Sequence, residues 1–351
     1  MHNFFHFLPS ASVGGAPINV LRLVMNSDAS KYKHVVLVPN DNLKYIQKLK
    51  EKNIEYKIIP SISVNLFSIT KIISIIFKIK INHKNIILVS HGRGASFIIR
   101  PIGILLNLNN IHFYRGYTSS YGIKNKFASN YLRYLDAFLC RWGITIAVGS
   151  DEYNLIKKDL NPKNLIRIRN PVPRIKWIEN KLDFKYHFVF VGRRSYQKGF
   201  DHCLEISKCF PEINFLWVGA REKNQFIQEE IPKNLTLSDY MDQDEIFNSS
   251  RYIICTSRWE GCSTIISECV ISIKPFISLY CDGVTEFKVK NINEKNFFKK
   301  IEYMKEFIVE NNYDEQKVIA GELYRHFYED LNVSKNIKKL YEYTESYIAN
   351  R

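Results

Sequence analysis

The chain has 351 residues, 46% of them apolar, so it can bury a sizeable core, with two domains expected, and is neither disordered nor fibrous. Its seven scattered cysteines contain no C-x-x-C pair, which argues against a disulfide framework or a zinc site and fits reduced thiols. The net charge of +15 is unevenly spread: residues 1–175 hold 25 Lys+Arg against 8 Asp+Glu, a net +17, and residues 176–351 hold 25 against 27, a net −2. Such asymmetry points to a polyanionic partner, nucleic acid or an anionic membrane surface.

The opening "NFFHFLP" is a short apolar run ending in Pro-Ser. No basic segment precedes it, so no signal peptide is expected, and no uncharged run is long enough to span a membrane. The expected location is cytoplasmic, with peripheral attachment to the inner face of the cytoplasmic membrane as the variant. "SVGGAPINVLRLV" gives a Gly-Gly turn and then helical spacing. "HVVLVP" is an apolar strand, "DNLKYIQKLKEKN" a charged helix and "EYKIIP" a third strand. "VNLFSITKIISIIFKIKI" follows, a helix apolar on nearly all sides with Ser68, Lys71, Ser74 and Lys78 as a narrow polar stripe. It reads either as a helix packed under a sheet or as one lying at a membrane surface. "NIILVSHGRG", "NIHFYRGYTS" and "GITIAVGSDEYNLIKKDL" each begin as a strand that ends in a polar turn. Continuous apolar strands alternating with helices imply a parallel sheet covered on both faces.

The rhythm stops at "RNPVPRIKWIENKLDF", whose prolines and mixed charge suggest a linker. It restarts with "HFVFVGRRSYQKGFDHCLEISKCF", "INFLWVGARE", "DQDEIFNSS", "YIICTSRWEG" and "KPFISLYCDG", and ends in amphipathic helices. The expected division is a first domain over 1–172, a linker over 173–183, a second domain over 184–330 and a C-terminal helix over 331–351. The fold class is α/β, two Rossmann-like domains facing across a cleft, where open parallel sheets bind ligands, with C-terminal helices that can cross back to the first domain.

Two stretches carry candidate chemistry. "FVFVGRRSYQKGFD" places Gly192, Arg193, Lys198 and Gly199 between a strand and a helix N-terminus. Backbone amides and two cations there suit a diphosphate, although a βα turn with surface basics reads the same way. "RWEGCSTIISECV" places Glu260 in the loop after a strand and Glu268 in the first turns of a helix capped by Ser263 or Thr264. The pair is either two solvated surface charges or a site for one polyhydroxylated ligand.

Together, "VGRRSYQKG", "FLWVGA", "SDYMDQDEIFNSSRYIICTS", "EGCSTIISE" and "KPFIS" resemble, in order, the retaining GT-B glycosyltransferases of family 4, the glycosyl transferases group 1. The resemblance covers most of 185–287 and extends loosely to the first half through "SVGGAPINVLRLV", "VSHGRGASFIIRP" and "RNPVP". It implies that Arg193 and Lys198 hold the donor diphosphate, with Gly14 and Gly15 near the phosphates. It further implies that Glu268 binds the ribose, and that Glu260 faces the donor sugar and acts in catalysis with His91. The family's usual His-Gly appears here as Arg115-Gly116, an acceptor-side candidate. Ile273 replaces the usual Gly before "KP", which puts the tight turn there in doubt, and Cys269 replaces the usual Ala.

These residue types suit sugar transfer from a nucleotide-diphosphate sugar. Cations and a helix dipole can stabilise the departing diphosphate with no tightly bound cofactor or metal. No Asp-x-Asp lies in a loop position that suggests metal-dependent transfer. A glycosidase needs two carboxyls flanking a glycosidic bond, whereas here the leaving-group side is cationic. The resemblance implies retention, a glycan or lipid-linked acceptor, and a role in bacterial O-antigen, lipopolysaccharide or capsule biosynthesis. The rivals are another GT-B enzyme, such as a nucleotide-sugar epimerase, and a non-enzymatic nucleic-acid-binding protein. The second is disfavoured because the aromatics lie within strands and helices and no RRM, KH or zinc-finger pattern occurs.

Overall fold

The computed structural model describes the chain except for residues 12–14, 64, 120–124, 179–182, 221–229, 311 and 351. It forms two compact units, Met1–Pro171 with Val333–Arg351, and Val172–Asn332.

The first unit runs β1 (His2–Phe7), α1 (Gly15–Met25), β2 (Tyr32–Pro39), α2 (Leu43–Glu51), β3 (Tyr56–Ile59), α3 (Leu66–Asn82), β4 (Ile86–His91), α4 (Gly92–Leu105), β5 (Asn109–Phe113), α5 (Lys126–Leu139), β6 (Ile144–Ala147), α6 (Ser150–Leu160) and β7 (Leu165–Arg167). The second unit runs β8 (Tyr186–Val191), α7 (Phe200–Cys209), β9 (Phe215–Val218), β10 (Leu235–Ser238), α8 (Gln243–Ser249), β11 (Ser250–Cys255), α9 (Thr264–Ile271), β12 (Phe276–Leu279), β13 (Phe297–Phe298), α10 (Ile301–Glu310) and α11 (Tyr313–Phe327). The last helix, α12 (Val333–Ala349), belongs to the first unit.

Both sheets are parallel. The strand orders are β3-β2-β1-β4-β5-β6-β7 and β10-β9-β8-β11-β12-β13. Central strands such as Val35–Val38 and Ile86–Val89 are buried on both faces, because crossover helices cover each side. The edge strands β7 and β10 lie in stretches to which the sequence reading assigned no element, and β13 in one that it read as amphipathic helix. An edge strand pairs on one side only, so short mixed sequences suffice. Each sheet reverses its strand order once, between β1 and β4 and between β8 and β11. In open parallel sheets such a reversal is where ligands bind.

Helix α3 resolves the choice left open above in an intermediate way. Ser68, Ile72, Ile76 and Ile79 pack on the first sheet, so Ser68 belongs to the buried side and not to the polar stripe. Leu66, Phe67, Ile73, Phe77 and Ile81 stay exposed. Among the described residues no helix is long and apolar enough to cross a membrane.

Candidate active site

Two loops leave the carboxyl ends of β8 and β11, residues 192–199 and 256–263, at the point where the second sheet reverses order. They are tied together by contacts that need particular residues. Gly199 has φ +70°, and a Cβ there would stand 2.1 Å from the Thr256 carbonyl oxygen, so only glycine fits. The Thr256 hydroxyl donates to the carbonyls of Lys198 and Gly199 at 3.0 and 3.1 Å. The Arg258 amide donates to the Gln197 carbonyl at 2.8 Å, and Gln197 Nε2 donates to the Trp259 carbonyl at 3.2 Å. The Arg258 guanidinium forks onto Asp201 at 2.9 and 2.6 Å and lies 3.7 Å from the Tyr196 ring centroid.

On this frame Lys198 Nζ donates to Glu260 Oε1 at 2.5 Å, and the Ser257 hydroxyl donates to the same oxygen at 2.7 Å. Glu268 Oε1 accepts from Gln243 Nε2, from the first turn of α8, at 2.5 Å. The Glu260 side chain is 11% exposed and Glu268 only 1%, so neither is a solvated surface charge. Half-buried Arg193 reaches Gln197 Oε1 at 3.4 Å. Ser263 takes the N-cap position of α9, yet its hydroxyl makes no capping bond and is buried without a hydrogen-bond partner. Beside it the first amides of α9 have no partner within the helix and carry its positive dipole end. The loops thus gather two cations, the ordered carboxylate of Glu260 and an unsatisfied hydroxyl at the N-terminus of α9, the helix that carries Glu268.

The turn placed in doubt by Ile273 does form. The Lys274 amide donates to the Cys269 carbonyl at 2.8 Å and the Ile273 amide to Val270 at 3.3 Å, a Schellman ending with Ile273 at φ +58°. A β-branched residue in the left-handed region is strained. Cys269 is fully buried.

In the first unit His91 ends β4 and precedes α4. Its ring is buried, with Nε2 bonded to His6 Nδ1 at 3.0 Å and Nδ1 accepting from Arg115 Nε at 3.2 Å. Both nitrogens are therefore engaged, and His91 can reach a substrate only by giving up one partner. Half-buried Arg115 also donates from Nη1 to Asn170 Oδ1 at 2.6 Å. Burial lowers its pKa to about 10, so it is still a cation at neutral pH. Arg115 sits at φ +55°, and the loop is clamped by Glu152. One carboxylate oxygen of Glu152 accepts from the Gly116 and Tyr117 amides at 2.6 and 2.9 Å, and the other from Val148 at 2.7 Å. Burial raises the Glu152 pKa, and these amides and Arg115 work against that rise.

The structure thus joins Lys198 to Glu260, places Arg193 on the same loop as Lys198 and Glu268 on α9 against Gln243, and brings His91 and Arg115 together in the first unit. Gly15 is the exposed first residue of α1, and Gly14 lies outside the described residues. Among the described residues no three His, Cys, Asp or Glu side chains are grouped to hold a metal ion. Sequence reasoning missed Ser257, Gln243 and Thr256, which stand within the quoted motifs but look like ordinary polar positions. It also missed Glu152, which reads as a helix-start acid, and His6, which sits inside an apolar run.

No protein-family profile matches the chain, and no curated protein does. Several solved structures are similar over nearly the whole length. HepE of Anabaena, in complex with UDP-glucose, has a TM-score of 0.80 at 12% identity, covering 99% of this chain and 100% of that one. A sucrose-phosphate synthase of Thermosynechococcus elongatus has 0.79 at 11%, covering 100% of both. A glycosyltransferase of Rickettsia africae has 0.72 at 14%, covering 100% and 99%. The likeness shows the fold: two Rossmann-like domains in tandem, the GT-B architecture.

Proposed function

We propose that the protein is a glycosyltransferase that moves a sugar from a nucleotide-diphosphate sugar to a glycan or lipid-linked acceptor, with retention, in bacterial surface polysaccharide biosynthesis. The observation that carries this reading is the cluster where the second sheet reverses order. Arg193, Lys198 and the N-terminus of α9 supply positive charge for a diphosphate leaving group. Glu268, oriented by Gln243, is suited to accept hydrogen bonds from ribose hydroxyls. Glu260, oriented by Ser257 and Lys198, is suited to face the donor sugar. A diphosphate would compete with Glu260 for the Lys198 ammonium, so donor binding and the orientation of Glu260 are coupled.

The reading is tested by thermal shift against UDP-, GDP-, ADP- and CMP-sugars, where a bound donor raises the melting temperature by mass action. Arg193→Ala and Lys198→Ala should each weaken that donor about tenfold or more, the scale of one charge-assisted hydrogen bond. No shift with any donor in the folded wild type would refute it. Conversion of donor with no acceptor present would favour an epimerase.

Support for a lipid-linked acceptor comes from the outer surface of α3, α4 and α5, which pack side by side. Phe67, Phe77, Phe127, Tyr131, Tyr134 and Phe138 are all more than half exposed there. Exposed Lys71, Lys78, Lys80 and Lys126 lie among them, in the half of the chain with net charge +17. Each cation near an anionic surface contributes about 1 kcal/mol, and aromatic rings suit the headgroup layer. Sedimentation with anionic but not neutral vesicles, reversed by salt, is the expected result. Equal binding to both, or to neither, removes the membrane.

A further inference from the structure

The first unit contains a polar chain that crosses its sheet and ends on the C-terminal helix. From Arg115 Nε it passes to His91, then from His91 Nε2 to His6 Nδ1 at 3.0 Å and from His6 Nε2 to His34 Nδ1 at 2.8 Å. His34 Nε2 meets the Tyr341 hydroxyl of α12 at 2.9 Å. That hydroxyl meets the Ser27 hydroxyl, which donates to the Leu23 carbonyl at 2.7 Å. The chain links β4, β1, β2 and α12, and all three imidazoles are buried. Tyr341 is itself fixed, stacked on Tyr32 with centroids 3.8 Å apart, while Tyr32 donates to Glu345 at 2.7 Å.

The direction of every bond follows from one end. A guanidinium has donors and no acceptor, so His91 Nδ1 must be unprotonated. Neutral His91 then carries its proton on Nε2 and donates to His6. The same logic puts the proton of His6 on Nε2, donating to His34, and that of His34 on Nε2, donating to the Tyr341 oxygen. The Tyr341 proton goes to Ser27. Each group donates once and accepts once, so no step can reverse alone.

We propose that His6, His34 and Tyr341 are positioning residues for Arg115: with His91 they form a one-way hydrogen-bond chain that fixes the tautomer of each ring and holds the guanidinium in register from the C-terminal helix. Relevance to turnover rests on the reading of Arg115 as an acceptor-side group. A proton added to His34 would be passed along by tautomer shifts, since Nδ1–H on His34 forces Nδ1–H on His6 and then on His91. It would arrive facing the Arg115 Nε–H, and the contact would break. Burial disfavours such a proton throughout, lowering His34 to about 4 and His6 and His91 well below the ordinary range. The other titratable groups around the chain are His112 beside His91, Tyr45 and Glu152 beside Arg115, and Tyr32 with its acceptor Glu345 beside Tyr341. Three backbone amides already bind Glu152, and Glu345 accepts from the Tyr32 hydroxyl.

The test is nitrogen-15 NMR of histidine- and arginine-labelled wild type and Tyr341→Phe, with kinetics on both. At pH 7 the wild type should show His6, His34 and His91 neutral with the proton on Nε2, and a slowly exchanging Arg115 Nε–H. Tyr341→Phe keeps the ring but removes the acceptor at the end of the chain. The Arg115 Nε–H should then exchange about tenfold faster or more, and the acceptor KM should rise by a similar factor with the donor KM unchanged. An Nδ1–H tautomer or an imidazolium at any of the three rings in the wild type overturns the chain, whatever the protein catalyses. Correct tautomers with an unmoved Arg115 signal in Tyr341→Phe overturn the positioning role. A wild type that turns over no nucleotide sugar removes the transferase reading instead, and the tautomer and Arg115 signals then decide the chain by themselves.

Discussion

The two units hold their candidate residues by opposite means. In the second, charged groups meet at a partly open surface: Lys198 with Glu260, Arg258 with Asp201, each pair inside or beside one of two cross-tied loops. In the first, the residues behind Arg115 are buried and neutral, and Glu152 of α6, the buried carboxylate that clamps the Arg115 loop, is bound to backbone amides. Ion pairs that keep some access to solvent can trade a partner for a ligand, and a half-exposed pair such as Arg258 with Asp201 contributes little to stability. Buried polar networks are intolerant of change, because any lost partner leaves a desolvated group. The second unit is therefore built to exchange partners and the first to keep them.

The largest test of this contrast is Glu152→Ala, which leaves three amides without their acceptor and should cost about 3–5 kcal/mol in chemical denaturation. Asp201→Ala, which breaks a half-exposed pair, should cost about 1 kcal/mol or less. Equal losses would break the contrast. Acid should separate the units next. Unfolded histidine takes up a proton near pH 6.5, whereas His34 resists down to about 4, so its contribution is intact above 6.5 and lost as pH falls toward 4. That window corresponds to about 3–4 kcal/mol from His34 alone, at about 1.4 kcal/mol per pH unit. His6 and His91 act in the same direction. Hydrogen exchange, corrected for its intrinsic pH dependence, should show β1, β2 and β4 opening before β8 and β11, and the reverse order would contradict it.

Smaller effects sharpen the picture within the second unit. Glu268→Gln should mainly raise the donor KM, since ribose binding is common to ground and transition states. Glu260→Gln should mainly lower kcat, by about tenfold or more. Wild-type kinetics in either variant would unseat that residue. The smallest effect is Ile273→Gly, which relieves a left-handed β-branched residue and should raise stability by about 1 kcal/mol, read as a higher denaturation midpoint. A lower midpoint would mean that the isoleucine side chain contributes more than the strain costs.

The same contrast governs what could be read in the sequence. Arg193, Lys198, Glu260 and Glu268 lie in contiguous strand–turn–helix strings, so local pattern places them at the ends of β8 and β11. The central strands were visible as apolar runs. The edge strands β7, β10 and β13 were not, because half-paired strands need no such run. The chain behind Arg115 has no local signature at all. His6 lies 28 residues from His34 and 85 from His91, and only the winding order of the sheet brings β2, β1 and β4 side by side. Ile273 shows the opposite failure, where an unexpected residue cast doubt on a turn that backbone hydrogen bonding was sufficient to form.

The bond between His34 and Tyr341 joins residues 307 positions apart. On a ribosome adding about 5–20 residues per second, roughly 15–60 s pass between the synthesis of β2 and that of its partner in α12. Throughout that interval every residue of the second unit is made, while the first unit, begun earlier, still lacks α12. Of the two units, the one that comes first in order is thus the last to be finished. A premature stop within α12 would fall not on the neighbouring residues of the second unit but on β1, β2 and β4, made long before it.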